Sequence, residues 1–384
     1  MRKVYIDLLR PGMVVGYAVH NSRGEMLVNR GTVLTQRYID RLIQQGIPAL
    51  YIADDFFPDI DSKDIIDEQT RVKAIKQVKT VLKGSSSKIF TFEETMALQR
   101  TVDEILTNLL NNQSLMINLN DIRSMDDYLF GHCVNVCVLS LVTGIQLGYD
   151  KVTMSILGMG ALLHDLGKII ISREILDKPG KLNAEEYEEI KKHPDYSYDI
   201  LINQQPRIKK LSAIIAWQHH ERMNGEGYPR GLTGDGIHRL SQIVGMADMY
   251  DAMTADRVYR RGIPPNEVYE MLSACGDYYF DYELVKAFLH NIAPYPVGTV
   301  VRLNTNEIGV VSRNNKRFPF SPRVTIVVDR TGSYLQNKVE KELSSGLDLY
   351  ITGVLDNAEI EELKIATGLI TGTADNTTAS SIGK

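Results

Sequence analysis

The spacing of apolar positions divides the chain into segments of different period. Over residues 1–58, short β-like runs at Met13 to His20, Met26 to Val28 and Ala49 to Ala53 are broken by the turn signal Asn21-Ser22-Arg23-Gly24. Between them Tyr38, Ile39, Leu42 and Ile43 recur at helical spacing, which predicts a small α/β or β-rich accessory domain. From residue 62 to 105 the chain turns helical and charged. Val72, Ile75, Val78 and Val81-Leu82 form one apolar stripe, and Leu98, Val102, Ile105-Leu106 and Leu109-Leu110 form another beyond the break at Gly84-Ser85-Ser86-Ser87. A packed helical connector gives this pattern, and so does a homodimer surface; both are expected here.

Residues 106–300 are the longest helix-rich stretch. The pattern predicts helices over 127–147, 151–167, 184–192, 195–203, 208–220, 239–254, 264–274 and 281–290, with Pro194, Pro206, Pro229 and Pro264-Pro265 at loops or helix starts. Thr299 to Leu303, Ile308 to Val311 and Val324 to Val328 read as strands of a small β unit over 301–356. The remainder, 357–384, ends in small polar residues and is expected to be a disordered tail. The fold class is therefore mainly α, a helical bundle with a small N-terminal α/β unit and a small C-terminal β unit.

Composition narrows the function classes. The chain has 384 residues, 43% hydrophobic and 24% charged, enough for sizeable cores. A net charge of −5 and a pI near 6.0 argue against binding a nucleic-acid polymer, while leaving room for a local basic pocket. Cys133, Cys137 and Cys275 form no CxxC pair and no even disulfide framework, so they read as core residues of a reducing compartment. The start Met1-Arg2-Lys3-Val4 lacks a signal-peptide core, and no uninterrupted apolar run approaches the roughly 20 residues that span a bilayer. A cytoplasmic protein without membrane insertion is expected.

The chemistry lies in the helical stretch. His164-Asp165-Leu166-Gly167-Lys168 follows the apolar run Met159 to Leu163, where charged groups are costly unless paired or bound to metal. Lys168 stands three residues beyond the Asp and four beyond the His, on neighbouring helical faces. His132, His193, His219-His220 and Asp248 lie in the same region. Each alone has an ordinary alternative: a core histidine, a solvated helix end, a carboxylate paired with a nearby Arg such as Arg239. Together they would require five separate buried polar accidents. Five imidazoles and two carboxylates suit two six-coordinate divalent transition ions sharing Asp165. A thiolate-free N/O donor set points to iron, manganese or zinc in preference to copper(I) or an iron–sulfur cluster. Two bridged ions lower the pKa of a shared water and polarise a phosphoryl oxygen, the chemistry of phosphoester hydrolysis.

These segments, in this order, resemble the HD superfamily of metal-dependent phosphohydrolases, specifically its HD-GYP branch, over roughly residues 106 to 300. The matching motifs are Leu163 to Lys168, Lys178-Pro179-Gly180-Lys181-Leu182, His219-His220-Glu221-Arg222 through Gly227-Tyr228-Pro229, Ala247 to Met253, and Arg257-Val258-Tyr259-Arg260. The resemblance implies hydrolysis of cyclic di-GMP to pGpG or on to GMP at a dinuclear site, most naturally of Fe or Mn, with Zn as a further choice. It implies His132, His164, Asp165, His193, His219, His220 and Asp248 as metal ligands, with Asp165 bridging. It gives Lys168 the scissile phosphate, Arg257 and Arg260 the substrate phosphate or guanine, and Tyr228 the pocket wall, with the Gly-Tyr-Pro loop also a protein-partner surface. Asp165 and Lys168 are the implied catalytic residues.

Two positions depart from the family pattern. Some members carry a Glu four residues before the first histidine; Tyr128 stands there, which favours two metals over three. Ser197 stands where Gly is common, a change expected to alter packing only. Two alternatives stay open: a low-turnover module that binds a cyclic dinucleotide and signals to a partner, and an HD-type hydrolase of another nucleotide phosphoester. Lys168 and the full ligand set favour the enzyme; Arg257, Arg260 and the Gly-Tyr-Pro loop favour the cyclic dinucleotide.

Overall fold

The computed structural model describes residues 1–21, 25–54, 56–57, 65–84, 90–112, 116–117, 128–176, 178, 180–256, 260–343 and 348–367. The N-terminal unit is α/β. Its strands are β1 (Arg2–Tyr5), β2 (Val14–Val15), β3 (Val19–His20), β4 (Met26–Val28) and β5 (Ala49–Ala53), with helix α1 (Gln36–Gln44) between β4 and β5. Antiparallel β1, β5 and β2 form one sheet in that order, and β3 and β4 form a hairpin. Thr35 caps α1 by accepting from the Tyr38 N–H, and Ile39 and Leu42 then face Val4, Leu50 and Ile52 in a closed apolar core.

The helical region starts with α2 (Glu68–Gly84) and α3 (Phe92–Asn111), the latter opened by a Thr91/Glu94 capping box. Their stripes lie inside the main core: Val78, Val81, Leu82, Leu98, Val102, Ile105 and Leu109 are buried in one cluster with Val134, Leu141, Leu157 and Leu162. The connector is thus an integral layer of the bundle. Of the named positions Leu110 stays exposed.

Helices α4 (Tyr128–Gln146) and α5 (Lys151–Leu163) form the centre. By length and composition α4 could cross a bilayer, contrary to the sequence expectation, yet every residue from Phe130 to Gly144 is buried in protein. It is hydrophobic all round because it is surrounded. A 3-10 turn, Leu166–Ile169, follows α5. Then come α6 (Arg173–Leu176), α7 (Ala184–Ile190), α8 (His193–Ile202), α9 (Lys210–Gln218), α10 (Arg239–Thr254), α11 (Pro265–Ser273) and α12 (Tyr282–Leu289).

Strands β6 (Val300–Leu303), β7 (Ile308–Arg313), β8 (Arg323–Val328), β9 (Tyr334–Glu342) and β10 (Ile351–Val354) form an antiparallel sheet in the order β10-β6-β7-β8-β9. The expected tail is corrected over its first residues: α13 (Asn357–Ala366) is a capped helix whose Ile360 joins the core of this sheet. Buried Arg2 reaches Asp54, Asn357 and Glu361, and Lys364 also reaches Asp54, so the helix closes against the N-terminal unit. Residues 368–384 lie outside the described residues.

Candidate metal centre

At the C-terminal end of α5 the chain carries His164 and Asp165 into the bundle, where they are 0% and 1% exposed. The two oxygens of Asp165 point different ways. Oδ2 lies 3.6 Å from His132 Nε2 and 3.4 Å from His164 Nε2; Oδ1 lies 3.2 Å from His193 Nε2 and 3.9 Å from His219 Nε2. Asp248 on α10 also straddles, with Oδ1 3.1 Å from His132 Nε2 and Oδ2 3.6 Å from His220 Nδ1. The ligand atoms of His132, His164 and Asp165 lie within 4.8 Å of one another, and so do those of His193, His219 and His220. The structure therefore brings all seven sequence-derived ligands together, as two triads with Asp165 and Asp248 between them.

Hydrogen bonding sets the ring orientations. The Nδ1 atoms of His164, His193 and His219 lie 2.7 Å from the carbonyl oxygens of Ala161, Ile190 and Ala216. A carbonyl only accepts, so each Nδ1 carries the hydrogen and each ring turns its Nε2 inward. Burial pushes His219 and His220 well below the usual imidazole range, and neighbouring histidines push them further the same way. Burial also opposes the charge on Asp165, but Lys168, then His164, hold its carboxyl well below the usual range. At Asp248 the same penalty is overcome first of all by the His132 hydrogen bond. His132 differs: burial disfavours its cation, yet Asp248 and Asp251 raise it to about 10.

This arrangement leaves acceptors facing acceptors. His193 Nε2 and His219 Nε2 are 3.2 Å apart, and His164 Nε2 and Asp165 Oδ1 are buried without a hydrogen-bond donor. Asp165 Oδ1 also comes within 3.2 Å of His193 Nε2. Buried unpaired acceptors cost about 1–3 kcal/mol each, and converging N and O lone pairs are what a divalent transition cation requires. The residues present fit the metal. His193→Ala is expected to lower the metal content of purified protein by about one equivalent, measured by elemental analysis; an unchanged content would remove His193 from the ligand set.

The rim of the site is partly open. Lys168 Nζ lies 2.6 Å from Asp165 Oδ2, and the side chain remains partly exposed. Burial disfavours its cation, but Asp165, then Asp248, raise it above the usual lysine range. Tyr228 stacks on His220, with ring centroids 4.5 Å apart, and burial pushes its phenol up. The Gly-Tyr-Pro loop is pinned by buried Glu221, whose oxygens accept from the Arg230 and Leu232 N–H groups, both at 2.8 Å. A Cβ on Gly227 would lie 2.4 Å from the Arg222 nitrogen, so only glycine admits this loop so close to the His219-His220 turn. Arg260 is exposed on the turn after α10 and donates to the Ala252 carbonyl at 2.6 Å, apart from the side chains that converge on Asp165. Arg257 lies outside the described residues.

Sequence reading missed the supporting groups. Asp251 Oδ2 receives His132 Nδ1 at 2.7 Å, and its Oδ1 accepts from Asn135 Nδ2 at 2.8 Å. Asp251 follows Asp248 by three residues and Asn135 follows His132 by three, so helical spacing alone placed each on the ligand's face. Ser197 was expected to change packing only; instead its hydroxyl donates to the His164 carbonyl at 2.9 Å and accepts from the Gly167 N–H at 2.8 Å. It ties α8 to the His164-Asp165 turn. Tyr128 stacks parallel on His132 with centroids 5.9 Å apart.

Comparison with known proteins finds similar sequences over this region. Residues 104–284 match the HD domain, and residues 300–363 match a KOW domain associated with the HD domain. Cyclic di-GMP phosphodiesterase PA4108 of Pseudomonas aeruginosa is 33% identical over 225 residues, 59% of this chain and 54% of that protein. The 3'3'-cGAMP-specific phosphodiesterase 3 of Vibrio cholerae is 40% identical over 137 residues, 36% of this chain and 29% of that protein. The chain thus spans only about half or less of the length of these relatives. A solved structure, Bd1817, a HDG"Y"P protein from Bdellovibrio bacteriovorus, aligns over 75% of this chain and 97% of its own at 20% identity and a TM-score of 0.46. Residues 104–284 thus match the HD domain, which implies dependence on divalent metal, and the chain carries the Gly-Tyr-Pro tripeptide in the loop that covers His220.

Proposed function

We propose that this protein hydrolyses cyclic di-GMP, opening one phosphodiester to give pGpG or both to give GMP, in a reducing cytoplasmic setting that suits its buried free cysteines. The observation that carries the proposal is Asp165, whose two oxygens face the two triads from an almost fully buried position. Two divalent ions, iron or manganese in preference to zinc, would supply an acidified water and a polarised phosphoryl oxygen. His132, His164 and Asp165 would hold one, and His193, His219 and His220 the other, with Asp248 reaching both sets.

The chain's own groups do the rest. Lys168 keeps its ammonium charged at neutral pH and, being partly exposed, presents it to an incoming phosphate while the same Nζ donates to Asp165. The Tyr228 ring covers His220 and offers a flat wall to a base. Buried His164, His193 and His219 keep bulk water from the inner face of the site. Arg257 and Arg260 belong to the substrate side of this proposal, where a planar guanidinium suits phosphate or guanine. A protein partner at the Gly-Tyr-Pro loop would meet exposed Glu226 and Arg230, since Tyr228 is engaged by His220.

The relatives' names support a cyclic dinucleotide and pose the choice between two. Metal-replete protein, prepared with iron or with manganese, is incubated with cyclic di-GMP and separately with 3'3'-cGAMP, and products are separated by anion-exchange chromatography. The expected result is linear product with a higher kcat/KM for cyclic di-GMP. The reverse preference would assign the site to the mixed dinucleotide. Tight binding without product under both metals would replace the enzyme by a signalling module.

A further inference from the structure

Among the metal-site histidines, His132 is held differently. His164, His193 and His219 each give Nδ1–H to the carbonyl three residues earlier, an acceptor that belongs to the same turn of chain and moves with the ring. His132 on α4 instead gives its proton to a side chain, Asp251 of α10, at 2.7 Å. Asp251 is itself held by Asn135 Nδ2 at 2.8 Å, and Asn135 Oδ1 accepts from Arg71 Nη1 of α2. Arg71, Asn135, Asp251 and His132 are 6%, 1%, 2% and 3% exposed. A guanidinium is thus buried between connector and catalytic helices, at a cost only a specific polar arrangement recovers.

We infer that Arg71 is a positioning residue for the metal ligand His132, and that this relay lets the accessory part of the chain set metal affinity on one side of the site. The relay crosses helix boundaries at each step, from α2 to α4 to α10 and back to α4, so a shift of α2 moves Asp251 and turns the His132 ring. The N-terminal unit touches α2 one turn earlier: His20 Nδ1 lies 3.0 Å from Glu68 Oε1, and Glu68 precedes Arg71 by three residues. The relay is also accessible. Asn135 and Asp251 line a cavity of about 670 Å³ whose other walls include Arg2, Tyr5 and Tyr17 of the N-terminal unit and Val300 and Leu355 of the β unit. From Arg71 to the metal ligand the groups form one continuous chain of hydrogen bonds, and the helical turn from Glu68 to Arg71 joins it to the contact with the N-terminal unit.

The inference rests on His132 as a metal ligand, but its test reads metal binding and not turnover, so it can fail while the phosphodiesterase reading stands. Manganese is titrated into metal-stripped wild type, Arg71→Met, Asp251→Asn and the double variant, below their melting temperatures, with bound metal counted by elemental analysis. The expected result is one equivalent bound as in wild type and one weakened about 10- to 100-fold in Arg71→Met, the size seen when a group supporting a ligating histidine is lost. The double variant should be no weaker than the worse single variant, because both substitutions cut one relay. Two equivalents bound with wild-type affinity by Arg71→Met, or losses that add in the double variant, would overturn the inference; a purely structural arginine lowers the melting temperature without this pattern. Should Arg71→Met not fold, Asn135→Leu cuts the relay one step later and is read by the same criteria.

Discussion

Asp165→Ala is expected to lower turnover of the cyclic dinucleotide by on the order of 10³-fold or more. The substitution removes a carboxylate whose two oxygens face the two triads, so each loses a donor at the same moment. It also removes the partner that holds Lys168 Nζ at 2.6 Å, freeing the cation to swing from the place where a phosphate would meet it. Charge stabilisation of this kind supplies several kcal/mol at a metal site, and each 1.36 kcal/mol is tenfold in rate. The fold should survive. Deleting the carboxylate leaves the apolar layer of Leu139, Leu157, Leu162 and Val244 untouched and takes away a charge that is costly to bury. Product chromatography, circular dichroism and metal content on the same preparation check the three statements. A folded Asp165→Ala protein that turns over within tenfold of wild type would sink the two-triad reading of the site.

How far the sequence reveals this molecule depends on the range of the interactions concerned. Helices α4, α5, α9, α10 and α12 follow from the period of their apolar residues, and their ends lie within a few residues of those expected. The seven ligands were legible as ligand-type residues gathered in one helical region, and the resemblance to the HD-GYP branch named them as a set. Their division into two triads was not, since it depends on where α4, α5, α8, α9 and α10 cross. The tail was misread although Asp356 and Glu359 spell a capping box, because Ile360 finds its apolar contacts on a sheet and its neighbours reach an N-terminal unit some 300 residues away in sequence. The connector stripes were ambiguous for the same reason: a sequence shows that a face is apolar, and only the fold shows what covers it. Ser197 is the clearest case. Its role is to bridge two elements 30 residues apart, and nothing in its local sequence marks that.

Gly167→Ala tests whether the site can be broken without touching any ligand, and it is expected to cost at least about 2–3 kcal/mol of stability. A Cβ at position 167 would stand 2.1 Å from the His193 carbonyl oxygen, 2.7 Å from the Ser197 nitrogen and 2.8 Å from Tyr196 Cβ. Two of these atoms are main chain of α8, which cannot rotate aside. Either the Leu166–Ile169 turn retreats, taking His164 and Asp165 with it, or α8 retreats and takes His193. Each movement separates ligands that now lie within about van der Waals reach of one another, and each breaks the Ser197 bridge to Gly167 and His164. For a domain of this size the loss corresponds to a fall in Tm on the order of 5–10 °C, and bound metal should drop below the wild-type equivalents even well under the new Tm. Ser197→Gly separates the two contributions: it removes the hydrogen bonds without adding a clash, so about 1 kcal/mol and near-normal metal content are expected from it. If Gly167→Ala melted with the wild type and held all its metal, the close packing of the His164-Asp165 turn on α8 could not be what keeps the two triads in register.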